Sequence, residues 1–267
     1  MCRWAAYCGE PVLLEDIVSA PRHSLIAQSH HALEARTATN GDGFGIAWYG
    51  ERPEPGLYRD VLPAWSDCNL KSLCGQIRSG LFLAHVRAAT HGVTSRDNCH
   101  PFVSGRWSFM HNGQIEGFER LRRRLEASLP DALYGERRGA TDSELFFLMM
   151  LAAGLDRDPQ GALARATGQV IAASLDAGIE PALKLTAAFC DGDRLYAVRF
   201  STAGSAPTLY TGAFRETMGR CVVSEPLDRD APCWHPVPPR AFVTLTRTGM
   251  TMRPFAPVLA PALAIAV

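Results

Sequence analysis

The sequence carries no excess of charge: 27 lysines and arginines balance 27 aspartates and glutamates. No overall field draws phosphate backbones or anionic lipid toward it, which argues against nucleic acid and membrane surfaces as partners. It also has no run approaching the roughly 20 apolar residues needed to cross a bilayer. Its opening, MCRWAAYCGEP, lacks the apolar core of a secretory signal. These absences together predict a cytoplasmic protein. The apolar ending VLAPALAIAV is too short to span and is broken by Pro261, so it reads as a docking strand or a frayed tail. Eight cysteines, at positions 2, 8, 68, 74, 99, 190, 221 and 233, include no C-x-x-C pair. That spacing fits neither a zinc site nor a small disulfide-built scaffold, and most of the thiols are expected to be buried and reduced. Repeats, low-complexity tracts and Gly/Ser/Pro-rich linkers are missing as well. A single domain over residues 1–267 is therefore expected.

What is present is an ordinary globular balance, 47% hydrophobic and 20% charged. The Arg120, Arg122, Arg123 and Arg124 cluster is interleaved with Glu116, Glu119 and Glu126, which reads as a solvated helix face. Strand-length segments rich in aromatic and β-branched residues occur early in the chain: CRWAAY, GFGIAWY, LFLAHVRAA and WSFMHN. Helical spacing marks Asn69 to Arg78 and Phe118 to Leu129, while SELFFLMMLAAGL is apolar all round and belongs between layers. Thr141 followed by Glu144 is a capping-box pattern that starts this buried helix near Asp142. A further helix is predicted from Gly161 to Ala177. After it KLTAAFC and RLYAVRF flank Asp191-Gly192-Asp193 as a hairpin, and TLYTG, RCVVS, AFVTLT and MTMRPF follow as strands. Strands, then helices, then strands again predict an α+β fold in which helices cover antiparallel sheets. Residues 51–55 and 226–239 read as surface excursions.

The chemistry starts at Cys2. A small residue after the initiator permits removal of Met1, which places a thiol beside its own α-amine. Such an amine titrates near pH 7.7–8.0 in the absence of perturbation and can accept the thiol proton, where an amide nitrogen cannot. His111-Asn112-Gly113 ends a predicted strand. The Asn112 side-chain N–H and the Gly113 backbone N–H there can form an oxyanion hole, or the pair can serve as an Asn-Gly hairpin turn. Arg87, at the end of another strand, offers a guanidinium fork for a carboxylate, or else a surface salt bridge. Asp142 can hold an ammonium or simply cap its helix. Asn40-Gly41-Asp42-Gly43-Phe44-Gly45 lacks the spacing of a dinucleotide fingerprint and reads as a turn entering a strand. His100-Pro101-Phe102 reads as a site wall or a structural histidine.

Taken in order, Cys2, NGDGFG, H-x-R-x-A-T-H-G, His100-Pro101, H-N-G and T-D-S-E resemble the class II glutamine amidotransferases. The motifs cover roughly the first 155 residues. The resemblance implies an N-terminal-nucleophile fold, a four-layer αββα sandwich of two antiparallel sheets. It makes Cys2 the nucleophile, its α-amine the base, and Asn112 with Gly113 the oxyanion hole. Arg87 and Asp142 would hold the glutamyl carboxylate and ammonium, with Thr90 and His91 lining the same pocket. No metal or organic cofactor is implied. Ala88 and Arg3 differ from the Trp and Gly of synthase-linked members and resemble the short, free-standing branch. That branch includes an amidohydrolase of ergothioneine synthesis and a subunit of glutathione degradation. The implied substrate is glutamine or another γ-glutamyl small molecule. An ammonia-accepting protein partner, a homodimer and a non-catalytic regulatory relative stay open as alternatives.

Overall fold

A computed structural model describes residues 2–34, 39–89, 94–215, 218–228 and 233–259. Thirteen strands are present among these residues, and they fall into two sheets. In chain order they are β1 (Arg3–Leu13), β2 (Phe44–Trp48), β3 (Gly56–Asp60), β4 (Arg78–Val86), β5 (Phe102–Ser104) and β6 (Trp107–Ile115). After the helices come β7 (Leu183–Cys190), β8 (Leu195–Ser201), β9 (Tyr210–Phe214) and β10 (Gly219–Val223). The last are β11 (Trp234–Pro236), β12 (Ala241–Leu245) and β13 (Met250–Pro254). The first sheet runs β11-β9-β10-β1-β4-β2-β3 and the second β13-β12-β8-β7-β6-β5, with neighbouring strands antiparallel throughout.

Helices α1 (Glu15–Val18), α2 (Leu25–His30) and α3 (Cys68–Cys74) pack on the first sheet, burying Ile17, Val18, Leu25 and Leu70 against Ala5, Tyr7 and Phe82. Helices α4 (Phe118–Glu126), α5 (Asp131–Glu136), α6 (Asp142–Ala152) and α7 (Pro159–Asp176) follow, and α4, α6 and α7 bury their apolar residues on the second sheet. Between the sheets, Trp4, Ala6 and Cys8 of β1 meet Met110 of β6, Ala188 of β7 and Ala197 of β8. The result is the expected αββα sandwich.

Local physics accounts for several elements. Helix α6 is buried from Ser143 to Met150, as its continuous apolar surface requires, and Phe147 stacks on Phe109 at 5.4 Å. Thr141 caps it through the Glu144 N–H. Glu144 does not close the box on the cap residue; its carboxylate accepts from the Arg138 and Gly139 N–H groups instead. The β7–β8 hairpin turns on Gly192 at φ +93, and Asp191 accepts from the Asp193 and Arg194 N–H groups.

Other boundaries differ from the expectations. The helix predicted over Asn69 to Arg78 stops at Cys74, because Arg78 onward is pulled into β4 beside β1. His111-Asn112-Gly113 is not a turn: it lies inside β6, paired with Ala187, Thr186 and Leu185. Residues 234–236, placed in a surface excursion, form an edge strand on β9. Most thiols are buried and all eight are unbridged, with burial raising Cys74 and Cys190 to about 12. The tail residues after 259, and Thr90 and His91, lie outside the described residues.

Candidate active site

The site forms where the starts and ends of several strands converge. Alternation along β1 turns Trp4 between the sheets and Arg3 toward α2, and Cys2 continues on the Trp4 side. The Cys2 thiol is half-buried and donates to the Ala88 carbonyl at 3.7 Å. Burial pushes its pKa up, opposed by the nearby Arg87 and Arg3 cations.

Arg87 follows the last residue of β4 and is 4% exposed. No ion pair with a carboxylate involves it among the described residues, so the surface-salt-bridge alternative fails. It is braced by the NGDGFG loop instead. Its N–H donates to the Gly43 carbonyl, its Nη1 reaches the Asp42 carbonyl at 3.4 Å, and its own carbonyl accepts from the Asp42 N–H. The Asp42 carboxylate also receives the Ala89 N–H at 2.8 Å. Sequence reading took this loop as a turn alone. Its repeated short residues let the chain fold back on the strand end, and Gly43 adopts φ +112 to do so.

On β6, Asn112 shares the face of Met110 and looks between the sheets. It is 2% exposed, and its Nδ2 has no hydrogen-bond partner among the described residues. An unmatched buried donor is costly. The Glu116 N–H bonds to Ala182 across the β6–β7 ladder, whereas the Ile115 N–H turns away from β7 to Asp142 Oδ2 at 2.8 Å. By the same alternation the Gly113 N–H also points away from β7, beyond the point where β5 has ended. Only glycine fits at 113, because a Cβ would collide with the Lys184 carbonyl and His111 Nε2.

Asp142 opens α6 but does not cap it, since Thr141 does. Its carboxylate accepts the Ile115 N–H, and Ser143 Oγ, 3.2 Å away, shares its single proton between that carboxylate and His111 Nδ1. Behind these groups sit three buried histidines that the sequence did not connect. His111 bonds through Nε2 to the Lys184 carbonyl and through Nδ1 to Ser143 Oγ. A carbonyl can only accept, so Nε2 carries the proton. His85 and His100 lie 4.3 Å apart, and neither ring makes a well-formed hydrogen bond among the described residues. Burial lowers all three, His85 to about 3, so they are neutral at physiological pH.

A cavity of about 310 Å³ joins these residues: Cys2, Arg87, His100, Gly113 and Asp142 all line it, and its rim continues along Gln114 to Arg120. Asn112 is not part of that wall. Among the described residues no group of three or more His, Cys, Asp or Glu could hold a metal ion. The constellation offers a thiol, a buried cation and a carboxylate around one space, with the Gly113 N–H turned out of the ladder beside them, which suits attack on an amide carbonyl of an amino-acid substrate.

The family model for class II glutamine amidotransferases matches residues 19–205. The probable glutamine amidotransferase DUG3 of Saccharomyces cerevisiae is 33% identical over 301 residues, covering 95% of this chain and 84% of that protein. The γ-glutamyl-hercynylcysteine sulfoxide hydrolase of Mycolicibacterium smegmatis is 27% identical over 256 residues, covering 95% and 100%. A solved class II glutamine aminotransferase domain protein from Silicibacter pomeroyi superposes with a TM-score of 0.78 at 42% identity, covering 96% of this chain and 100% of that one. The glutamine phosphoribosylpyrophosphate amidotransferase of Bacillus subtilis, at 14% identity and a TM-score of 0.67, shares the fold over 97% of this chain and 50% of its own. The chain belongs to the class II glutamine amidotransferases.

Proposed function

We propose that this single-domain protein is a γ-glutamyl amidohydrolase whose nucleophile is Cys2, freed by removal of Met1. The observation that carries the reading is the shared cavity, which brings Cys2, Arg87, Gly113 and Asp142 to one space although they are spread over 140 residues of sequence. Arg87 holds the α-carboxylate of the glutamyl group and Asp142 its α-ammonium, which aims the γ-carbonyl at the thiol. The α-amine of Cys2 takes the thiol proton as sulfur bonds to the γ-carbon. Asn112 Nδ2 and the Gly113 N–H receive the oxyanion. Collapse expels ammonia or an amine, protonated by the same α-amine, and leaves a thioester. Water then adds to that thioester, gives its proton back to the amine, and releases glutamate with the thiol restored.

The names of the Saccharomyces cerevisiae and Mycolicibacterium smegmatis relatives support action on a γ-glutamyl amide, and the cavity rim beyond the glutamyl end leaves room for a leaving group. The unbridged thiols suit a reducing, cytoplasmic setting, and no helix among the described residues is long and apolar enough to cross a membrane. The second reading is a glutaminase subunit that passes ammonia to a separate acceptor enzyme. Assaying the protein with glutamine and with γ-glutamyl peptides, alone and beside acceptor enzymes, separates the two: turnover of the peptides without a partner selects the hydrolase. Intact mass reports whether Met1 is gone. Cys2→Ala is expected to abolish turnover while glutamate still binds, and a rate near that of the unaltered enzyme would refute the mechanism.

A further inference from the structure

Arg3 is fully buried at the first position of β1, next to the proposed nucleophile. Its Nε donates to the Cys2 carbonyl at 2.7 Å, and Nη1 approaches the Ser224 carbonyl at 3.4 Å and Glu225 Oε2 at 3.6 Å. Its Nη2 has no hydrogen-bond partner among the described residues. Glu225 is equally buried and is committed elsewhere: it takes His23 Nε2 at 2.7 Å and the N–H groups of Leu33 and Glu34 at 3.0 and 3.2 Å. The guanidinium is therefore held most tightly by a neutral carbonyl, and its counter-ion stands off. For stability alone this is a poor use of a buried charge, because desolvation is offset only by close, well-formed pairing. Its shortest bond is to the residue that carries both the thiol and the α-amine.

We propose that Arg3 is a positioning residue: it locks the Cys2 peptide so that thiol and amine face the cavity, and its charge biases that pair against the added proton. This rests on the reading of Cys2 as nucleophile. A hydrogen bond to the Cys2 carbonyl fixes rotation about its Cα–C bond, which sets where Cβ and the α-nitrogen point. A cation beside an amine disfavours the ammonium, and beside a thiol it favours the thiolate, so both effects lower the pH at which the pair gives up its first proton. An unperturbed α-amine, near pH 7.7–8.0, is mostly ammonium at pH 7 and cannot act as a base.

Among the described residues, several other charged and titratable groups lie around Cys2. Arg87, after β4, acts in the same direction, while Asp142 at the start of α6 opposes it. His85, His100 and His111 are kept neutral by burial, and the Cys99 thiol is kept protonated. Around Arg3 itself, Glu225 and Glu34 partly offset its charge, with Tyr210 beside them.

The test uses full-length protein whose loss of Met1 is confirmed by intact mass. Alkylation of Cys2 by iodoacetamide is followed against pH by peptide mass, alongside kcat/KM for glutamine. Arg3→Met combined with Glu225→Gln, which removes both buried charges, is expected to raise the alkylation midpoint and the acidic limb by about one unit. Turnover on that limb then falls about tenfold. Arg3→Lys keeps the cation and is expected to leave the midpoint within a few tenths of a unit, with kcat reduced by the lost fork geometry. Glu225→Gln alone leaves the cation unopposed and moves the midpoint down. Midpoints that stay put in the folded double variant overturn the proposal; should that variant fail to fold, an unmoved midpoint in Glu225→Gln does so. Turnover surviving in Cys2→Ala strikes the nucleophile reading instead, and the alkylation data still judge Arg3.

Discussion

Asn112→Ala separates the cost of the site from its use. In the substrate-free protein the Asn112 Nδ2 is buried and unpartnered, a state that costs on the order of 1–3 kcal/mol relative to a matched donor. Alanine removes that orphan donor and leaves a small void in its place, and the two effects oppose each other. Stability is therefore expected to change by no more than about 1 kcal/mol. Catalysis has no such compensation. If Nδ2 meets the oxyanion, its loss lowers kcat by roughly 10²–10³, or about 2.7–4 kcal/mol of barrier. Urea unfolding gives the first quantity, and steady-state turnover of a γ-glutamyl substrate gives the second. KM is expected to move little, because the interaction belongs to the transition state. A kcat within threefold of the unaltered enzyme would remove Asn112 from the oxyanion hole. A stability loss of several kcal/mol would show instead that the side chain is structural.

Arg87→Lys keeps the charge but loses the planar fork, so KM for the glutamyl substrate is expected to rise about tenfold or more with a smaller change in kcat; an unchanged KM would take Arg87 out of the site. Gly113→Ala drives a methyl into the Lys184 carbonyl and His111 Nε2, so β6 must shift at a cost of about 1–3 kcal/mol, with turnover lost along with the N–H orientation. Normal activity in that variant would contradict the register described here. The buried histidines also set an acid limit. His85 is lowered to about 3 in the folded state, against about 6.5 when unfolded, so the unfolded chain binds a proton that the native one refuses between those values. Stability is full above pH 6.5 and falls as pH drops toward 3, by up to about 1.4 kcal/mol per unit for this ring, with His100 and His111 adding in the same direction. Urea titrations at pH 7, 6, 5 and 4 measure the slope, and a flat profile would refute the buried neutral cluster.

A layered α+β fold with helices over antiparallel sheets was legible in the order of strand-length and helical segments, whereas the four-layer arrangement of two sheets was implied only by the family resemblance. Helix α6 and its Thr141 cap were read correctly from Thr141 to Glu144 alone, since both signals are local. The short elements α1, α2, α5 and β3 were not read. Their propensity is weak, and they exist because the sheets supply a surface to pack on. The candidate site was legible as residue types and their order, but its assembly was not. Asn-Gly at 112–113 carries a turn signal, yet the pairing of β6 with β7 overrides it, and only that pairing turns the Gly113 N–H away from the ladder. Asp42 as the brace of Arg87, the three stacked or buried histidines and the Arg3–Glu225 pair all join residues tens to hundreds of positions apart. The sequence by itself determined which chemical groups this protein owns and the periodicities that sort them into strands and helices. Tertiary structure alone decided which groups share a space, because side-chain distances across two sheets are set by long-range strand register, which no local signal encodes.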